Sequence, residues 1–115
     1  MTPWGTSEKA IPVAPGLVWH HTAGHGGLAV SRALADRHLS DYARSAPYVH
    51  CQGGFYWFEE DCAWGLPIVE VPEWADALAT APGLYGPTVT AQKIREAAAQ
   101  AVAFSYPDHA TETAR

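Results

Sequence analysis

A run of four consecutive aromatic residues, Phe55 to Phe58, constrains the fold of this chain more than any other segment. The pair Gly53-Gly54 stands directly before the run and is typical of the turn of a β-hairpin. Successive side chains of a strand point to opposite faces, so alternate members of the run face opposite ways. Both faces are therefore apolar, and the strand is expected to be central in its sheet or covered by a partner.

Three carboxylates, Glu59, Glu60 and Asp61, follow the aromatic run directly. Large aromatic rings favour burial, whereas carboxylates need water or a partner. The junction between them is therefore expected at the mouth of a cleft or at the rim of an interface. The predicted binding surface combines residues of this junction with a histidine from an earlier glycine turn: His25, Trp57, Glu59, Glu60, Asp61 and Trp64.

The net charge of −5 is unevenly spread, since no Lys or Arg occurs between Arg44 and Lys93 while six Asp and Glu residues do. Binding to phosphates needs clustered cations, so direct binding to DNA or RNA is disfavoured. A basic protein partner fits this charge better. Mimicry of a nucleic acid is an alternative, although six acidic groups are a sparse imitation of a phosphate ladder.

The length of 115 residues predicts a single domain. We assign residues 1–110 to one α+β domain and expect residues 111–115 to form a frayed tail. No apolar run approaches the ~20 residues that span a bilayer, and the first residues do not resemble a signal peptide. A cytoplasmic location without membrane contact is therefore expected. Cys51 and Cys62 are expected as free thiols there, with a disulfide between them as the alternative.

The predicted sheet is small, antiparallel and built from hairpins. Residues 17–22 have the β-branched and aromatic content of a strand, the glycines of residues 23–27 predict a tight turn, and residues 28–30 resume an extended run. Residues 48–51 and 55–58 predict a second hairpin around Gly53-Gly54. Helices are expected on one face of this sheet.

Two helices are predicted with caps, one in the middle of the chain and one near its end. Ser31 caps a helix through about Tyr42, and Thr90 caps an Ala-rich helix through about Ser105. The segment after Trp64 is less regular. Residues 68–71, Ile-Val-Glu-Val, favour a strand after Pro67, and Pro72 suits the first position of a helix that begins at Glu73.

Several short motifs follow one another along nearly the whole chain: Thr2-Pro3-Trp4-Gly5, Ala14-Pro15-Gly16, His25-Gly26-Gly27, Val30-Ser31, Trp57 to Trp64, Pro72-Glu73 and Tyr106-Pro107-Asp108. Their order resembles that of a small uncharacterised domain of bacteriophages, conjugative plasmids and their bacterial hosts. The resemblance implies an accessory protein of a mobile element, in the cytoplasm of a bacterial host cell, and brings no established activity. Phe58 departs from the family, which usually has Tyr there. The prolines around residues 68–71 also depart from a segment that is more helical in relatives.

A metal site is one alternative, because the histidines and cysteines supply the donors that zinc prefers. His25, Cys51 and Cys62 would be the ligands, with the three carboxylates as further donors or bases. The spacing argues against it, since no Cys-x-x-Cys pair and no His-Glu-x-x-His helix occurs. We therefore expect no cofactor, with zinc as the alternative.

Catalysis is a second alternative, in which His25 acts as acid or base and Glu60 or Asp61 orients it. Cys62 would be the nucleophile of such a hydrolase or transferase. Protein–protein binding remains the main hypothesis, with a host or element-encoded protein as partner and a homodimer as the alternative. The hypothesis behind the site residues is that His25 converges with the three carboxylates on one cleft, and it fails if the ring lies more than ~10 Å from all of them.

Overall fold

The computed structural model describes residues 1–114 and confirms the predicted α+β class. Within these residues, five antiparallel strands form one sheet and six helices pack with it. The elements in chain order are β1 (Lys9–Ala14), β2 (Leu17–His21), β3 (Gly26–Ser31), α1 (Arg32–His38), α2 (Asp41–Ser45), β4 (Val49–Gln52), β5 (Phe55–Glu59), α3 (Gly65–Glu70), α4 (Trp74–Thr80), α5 (Ala91–Ser105) and α6 (His109–Thr113). None of the helices in residues 1–114 has the length and apolar character needed to cross a membrane.

The strands lie in the order β1-β2-β3-β5-β4, so both predicted hairpins are confirmed. β3 is the central strand, and β5 pairs with it on the side opposite β2. The turn between β4 and β5 is Gly53-Gly54, and both glycines have positive φ, at 62° and 83°. This is the conformation that a two-residue hairpin turn of type I′ demands, and glycine adopts it without steric cost.

One face of the sheet and the helices enclose the core. Leu28 and Val30 of β3 and Phe58 of β5 are completely buried on this face. The helices contribute buried apolar side chains to the same core, among them Leu66, Ile68, Leu78, Ile94, Ala98 and Val102. Burial of such side chains contributes about 1.5–3 kcal/mol each, so this layer supplies most of the driving force for folding.

The opposite face, which we call the outer face, is covered by the N-terminal segment of the same chain. The ring of Trp4 packs edge-on against Trp57, with centroids 5.8 Å apart. Trp4 also lies over Gly27, where an added Cβ would come within 2.7 Å of the indole. The aromatic strand β5 is therefore interior on both sides, between β3 and β4 and between the core and Trp4.

The strand predicted at residues 68–71 is wrong, because these residues belong to α3 up to Glu70. Pro67 is the third residue of this helix, within the first turn, where backbone N–H groups have no intrahelical partner. Gly65 lets the helix approach α5 closely, since a Cβ there would lie 2.8 Å from the carbonyl oxygen of Ala98. Burial of the apolar side chains in this helix outweighs their β-propensity.

The predicted mid-chain helix is divided in two. Ser31 caps α1 as predicted, accepting a hydrogen bond from the N–H of Leu34, but α1 ends at His38. Ser40 then caps α2, accepting a hydrogen bond from the N–H of Ala43. The C-terminal prediction is confirmed, since Thr90 caps α5 through the N–H of Lys93 and the helix ends at Ser105.

Two further boundaries differ from the sequence prediction. Gly26 and Gly27 were expected in a turn but begin β3, and the turn consists of residues 22–25. The helix expected from Glu73 begins at Trp74. Near the C-terminus, α6 extends to Thr113, into the segment predicted as a tail, whose fraying stays a prediction. Arg115, the last residue of that segment, lies outside the described residues.

Candidate functional site

The turn between β2 and β3 presents His25 at the surface. The hydroxyl and the N–H of Thr22 both donate to the carbonyl oxygen of His25, each at 2.7 Å, and the N–H of His25 donates back to the Thr22 hydroxyl at 3.1 Å. These three bonds close the turn without using the imidazole. The side chain of His25 is 48% exposed and is available to a ligand.

Glu60 is fixed beside this turn by the first residue of β3. Its Oε2 atom accepts a 2.6 Å hydrogen bond from the N–H of Gly26, and its own N–H donates to the carbonyl oxygen of Gly26 at 2.9 Å. Its Oε1 atom faces the Nδ1 atom of His25 at 3.8 Å. The backbone therefore holds one carboxylate oxygen and leaves the other directed toward the imidazole.

Asp61 completes the group. One ligand atom each from His25, Glu60 and Asp61 lies within 4.8 Å of the other two, and this is the one set of three or more such donors in residues 1–114. The structure thus brings together the histidine and two of the three carboxylates that the sequence analysis combined. Their role as a functional site stays a prediction.

Glu59 lies next to this group but is in a different environment. It pairs in register with Gly27, beneath Trp4, and its side chain is partly buried. Burial raises the pKa of Glu59 above its ordinary value, and the carboxylates of Asp61 and Glu60 raise it further, while His25 acts in the opposite direction. The three consecutive carboxylates are therefore not equivalent.

A cleft of about 260 Å³ opens at this turn. The turn residues, two side chains of β2 and one of the carboxylates form its wall: Trp19, His21, Thr22, Ala23, Gly24, His25, Gly26 and Glu60. No Lys or Arg is among them. Trp19 is 7% exposed, and its Nε1–H is a buried donor without an acceptor among the described residues.

The two tryptophans of the predicted binding surface lie elsewhere. Trp57 is 5% exposed on the outer face, and its Nε1–H donates to the carbonyl oxygen of Gln52 at 2.8 Å. Trp64 is half-buried and lines a separate groove of about 270 Å³ with Tyr85 and Lys93. The aromatic part of the predicted surface is therefore divided from its acidic part, because strand alternation turns Trp57 away and α3 begins beside Trp64.

The two cysteines are free thiols and do not join His25 in a common ligand group. Cys51 is exposed on β4, opposite Tyr56 in the register. The Sγ atom of Cys62 lies 3.7 Å from the hydroxyl of Tyr106, at the edge of the core. The ligand set His25, Cys51 and Cys62, and the role of Cys62 as nucleophile for His25, find no support in this arrangement.

Ser40, Glu70 and His109 form a second polar cluster, which was not predicted from the sequence. The carboxylate of Glu70 accepts bonds from the N–H of Ser40 at 2.7 Å and from its hydroxyl at 2.5 Å. The Nε2 atom of His109 lies 2.7 Å from the same carboxylate. No local pattern marks these residues, since they are separated by 30 and 39 positions.

The remaining acidic residues of the chain's middle are distributed over different surroundings. Asp76 lies 3.7 Å from Arg95, and Glu70 is enclosed by the cluster just described. Within residues 1–114, Glu59, Glu60 and Asp61 have no ion pair with Lys or Arg. Glu73, which is exposed, has no such ion pair either. Three adjacent carboxylates without a Lys or Arg partner therefore lie at the cleft or next to it, and Glu60 lines it.

No curated protein and no solved structure matches this chain. One family model does, over residues 1–115, and it is described as a domain of unknown function (DUF7007). The match covers the whole length, so the chain belongs to the DUF7007 family of uncharacterised domains.

Proposed function

We propose that this domain is an accessory protein of phages or conjugative plasmids that acts by protein–protein binding in the bacterial cytoplasm. A cationic side chain of a host or element-encoded partner would enter the cleft at the β2–β3 turn. The observation that carries the proposal is that Glu60 lines this cleft, that a carboxylate oxygen of Asp61 lies within 4.8 Å of one of Glu60, and that neither residue has a Lys or Arg partner in residues 1–114. The resemblance to mobile-element domains supports the biological setting.

The size of the cleft favours a side chain over a metabolite. Its volume of about 260 Å³ is below the range of roughly 300–1,000 Å³ that is usual for small-molecule sites. A single extended side chain with a charged end fits such a space. The wall formed by Trp19 and His21 would contact the apolar stem, and the carboxylates would receive the charge.

The electrostatics of the site also favour a cation. Two neighbouring carboxylates repel each other, and a cation between them converts this repulsion into two favourable contacts. Glu60 is already oriented by the N–H of Gly26, so little side-chain entropy is lost when the partner binds. Because the site is open to solvent, the affinity should fall as the ionic strength rises.

The test is the binding of a fluorescein-labelled peptide of alternating Arg and Gly, measured by anisotropy at low and at physiological salt. The double variant Glu60→Gln/Asp61→Asn should weaken binding about ten-fold or more, as expected for the loss of charges that contact the partner. The matched control is Glu73→Gln/Glu96→Gln, which changes the net charge by the same amount. It removes two exposed carboxylates, one at the N-cap of α4 and one within α5. Equal affinities for the two double variants, or no binding by the unchanged protein, would refute the proposal.

A divalent metal site that supports hydrolase or transferase chemistry is the second candidate, and one distance favours it. The 3.8 Å between His25 Nδ1 and Glu60 Oε1 is too long for a hydrogen bond. Zinc bonds of about 2.0–2.2 Å place two tetrahedral ligands roughly 3.5 Å apart, which is close to this separation. Asp61 would be the third ligand.

The two candidates separate at His25. If the site holds zinc, adding ZnCl₂ should raise the melting temperature of the unchanged protein, EDTA should reverse the change, and His25→Ala should abolish it. If the site holds a cationic side chain, His25→Ala should leave peptide binding intact, because an imidazole contributes no negative charge. A zinc-dependent shift that survives in His25→Ala would exclude this ligand set.

A further inference from the structure

The C-terminal half of α5 exposes an aromatic ring to solvent. Phe104 is 89% exposed and lies outside the hydrophobic core of residues 1–114. Its ring contacts no other aromatic ring in this part of the chain. Removal of such a ring from water is favourable, and aromatic rings dominate the energetics of many interfaces. The ring of Phe104 is therefore available to a partner surface.

An apolar groove lies beside the same helix, nearer its N-terminal end. Its volume is about 270 Å³. Three residues of α5 and three residues from other parts of the chain line it: Trp64, Tyr85, Val89, Lys93, Ile94 and Ala97. A cavity of about 150 Å³ can hold a benzene molecule. The groove therefore has room for the phenyl ring of a phenylalanine.

The exposed ring and the groove are on the same face of α5. Phe104 follows Ala97 by seven residues and Lys93 by eleven, so at 3.6 residues per turn each of the two differs from Phe104 in direction by only about 20°. At a rise of 1.5 Å per residue, Phe104 is about 10 Å from Ala97 along the helix. The ring therefore does not fill the groove of its own chain, as its exposure shows.

One two-fold axis brings the ring of each of two copies to the groove of the other. If two α5 helices pack antiparallel, with the axis midway between residues 97 and 104, each Phe104 faces Ala97 of the other copy. A two-fold interface uses the same patch on both copies, so both ring–groove contacts form together. Ala97 is exposed and small, and it leaves the mouth of the groove open to the ring.

The charges at the two ends of α5 favour the antiparallel arrangement. Lys93, near the N-terminal end, has no ion pair with Asp or Glu in residues 1–114, although its Nζ donates to the carbonyl oxygen of Thr88. Asp108 is exposed and follows the C-terminal end of the helix. An antiparallel pair places these opposite charges at the same end, whereas a parallel pair would place like charges together. The opposed helix dipoles act in the same direction.

We propose that two copies of this domain associate through α5, with Phe104 of each copy in the apolar groove of the other. A second copy is the occupant because this chain itself carries the ring, the groove and the opposite charges at spacings that one two-fold axis relates. The dimer does not depend on the proposed function, since the cleft at the β2–β3 turn and this groove share no residue.

The test is sedimentation equilibrium of the unchanged protein from about 10 μM to about 1 mM, a range that suits the weak dimers expected of small interfaces. The measured mass should rise from that of one 12.4 kDa chain toward that of two. Phe104→Ala should weaken association about ten-fold or more, as expected for the loss of an interface anchor. Ala97→Glu should weaken it as well, because the carboxylate blocks the place that the ring enters.

The matched control is Ala99→Glu, which adds the same charge to an exposed position on nearly the opposite side of the helix. It should associate like the unchanged protein. All three substituted positions are exposed, so the melting temperatures at the lowest concentration should equal that of the unchanged protein. Association that Ala97→Glu and Ala99→Glu weaken equally would overturn the inference.

A mixture of the two weakened variants makes the test specific for the ring and the groove. Phe104→Ala keeps an intact groove and Ala97→Glu keeps an intact ring, so a mixed dimer forms one ring–groove contact without a clash. The mixture should therefore contain more dimer than either variant alone at the same total concentration. A monomer at every concentration, or a mixture that associates no better than its components, would show that the inference is wrong.

Discussion

The Nε2 atom of His109 lies 2.7 Å from the Oε2 atom of Glu70, and the two side chains are only 9% and 10% exposed. Ser40 donates two more hydrogen bonds to the same carboxylate. The three residues belong to the start of α2, the end of α3 and the start of α6. One carboxylate therefore joins three short helices, none of which is long enough to be stable alone.

Removal of this carboxylate should be costly. Glu70→Ala leaves the donors of Ser40 and His109 without an acceptor in a nearly closed site, and a buried donor that loses its acceptor costs about 1–3 kcal/mol. Urea denaturation should show a lower midpoint at an unchanged m-value. Glu73→Ala, an exposed carboxylate nearby in the sequence, is the control and should change the midpoint little. Equal midpoints would show that the cluster does not stabilise the fold.

Features that depend on local signals could be predicted from the sequence, whereas features that depend on contacts between distant positions could not. The second hairpin and α5 could be predicted because Gly53-Gly54 and Thr90 are local signals that act within a few residues. The convergence of His25 with Glu60 was inferred only as a hypothesis, because the two are joined through a bond from Gly26 across 34 positions. The cluster around Glu70 could not be found, since its carboxylate is indistinguishable in sequence from an exposed one.

The predictions that were wrong or incomplete concern residues whose structure is decided by packing against distant parts of the chain. Residues 68–71 have a strong β-propensity, yet residues 68–70 form part of a helix because tertiary burial against α5 overrides local preference. The position of Trp57 could be assigned to a face by alternation, but nothing local showed that Trp4 would cover that face.

The close packing around Gly27 leads to a second prediction. A Cβ at this position would lie 2.2 Å from the carbonyl oxygen of Phe58 and 2.7 Å from the ring of Trp4. Gly27→Ala should therefore destabilise the protein by about 1–3 kcal/mol or more through overpacking. Gly86→Ala has open space and an ordinary φ, and it serves as the control. Thermal denaturation of both variants decides the matter, and similar melting temperatures would contradict the packing of Trp4 on β3.

His20 should make stability depend on pH. The centroid of its ring lies 5.1 Å from that of Trp57, and its Nδ1 atom lies 2.8 Å from the hydroxyl oxygen of Ser7. Burial lowers the pKa of His20 below its ordinary value of 6.5, and the positive N-terminal amine lowers it further. The folded state then binds fewer protons than the unfolded state, so this contribution is complete above pH 6.5 and is lost as the pH falls through the folded-state pKa. His20→Gln should reduce the fall in melting temperature between pH 7 and pH 5, and an unchanged fall would exclude His20 as its source.

Glu59 should act in the opposite sense. Burial raises the pKa of Glu59 above its ordinary value of 4.5, so the folded state binds the proton more tightly than the unfolded state. The resulting penalty appears as the pH rises above 4.5 and is complete above the folded-state pKa. Glu59→Gln should therefore raise the unfolding midpoint at pH 7 and give no gain at pH 4. An equal rise in the unfolding midpoint at both pH values would show that the charge of Glu59 is not the cause.

The pairing of β3 with β5 has a consequence for the order of folding events. The β1–β2, β2–β3 and β4–β5 ladders each join neighbouring strands, whereas the ladder that begins at Ser31 and Phe55 must close a loop containing α1, α2 and β4. Within residues 1–114, the sheet therefore has one long-range ladder, which joins two locally formed halves. Loop closure at such a ladder is slow relative to hairpin formation, and the transition state of folding should be reached when β5 docks on β3. Substitutions along this ladder should slow refolding, while those at the Gly53-Gly54 turn should change it less, as a φ-value series across the two ladders would measure.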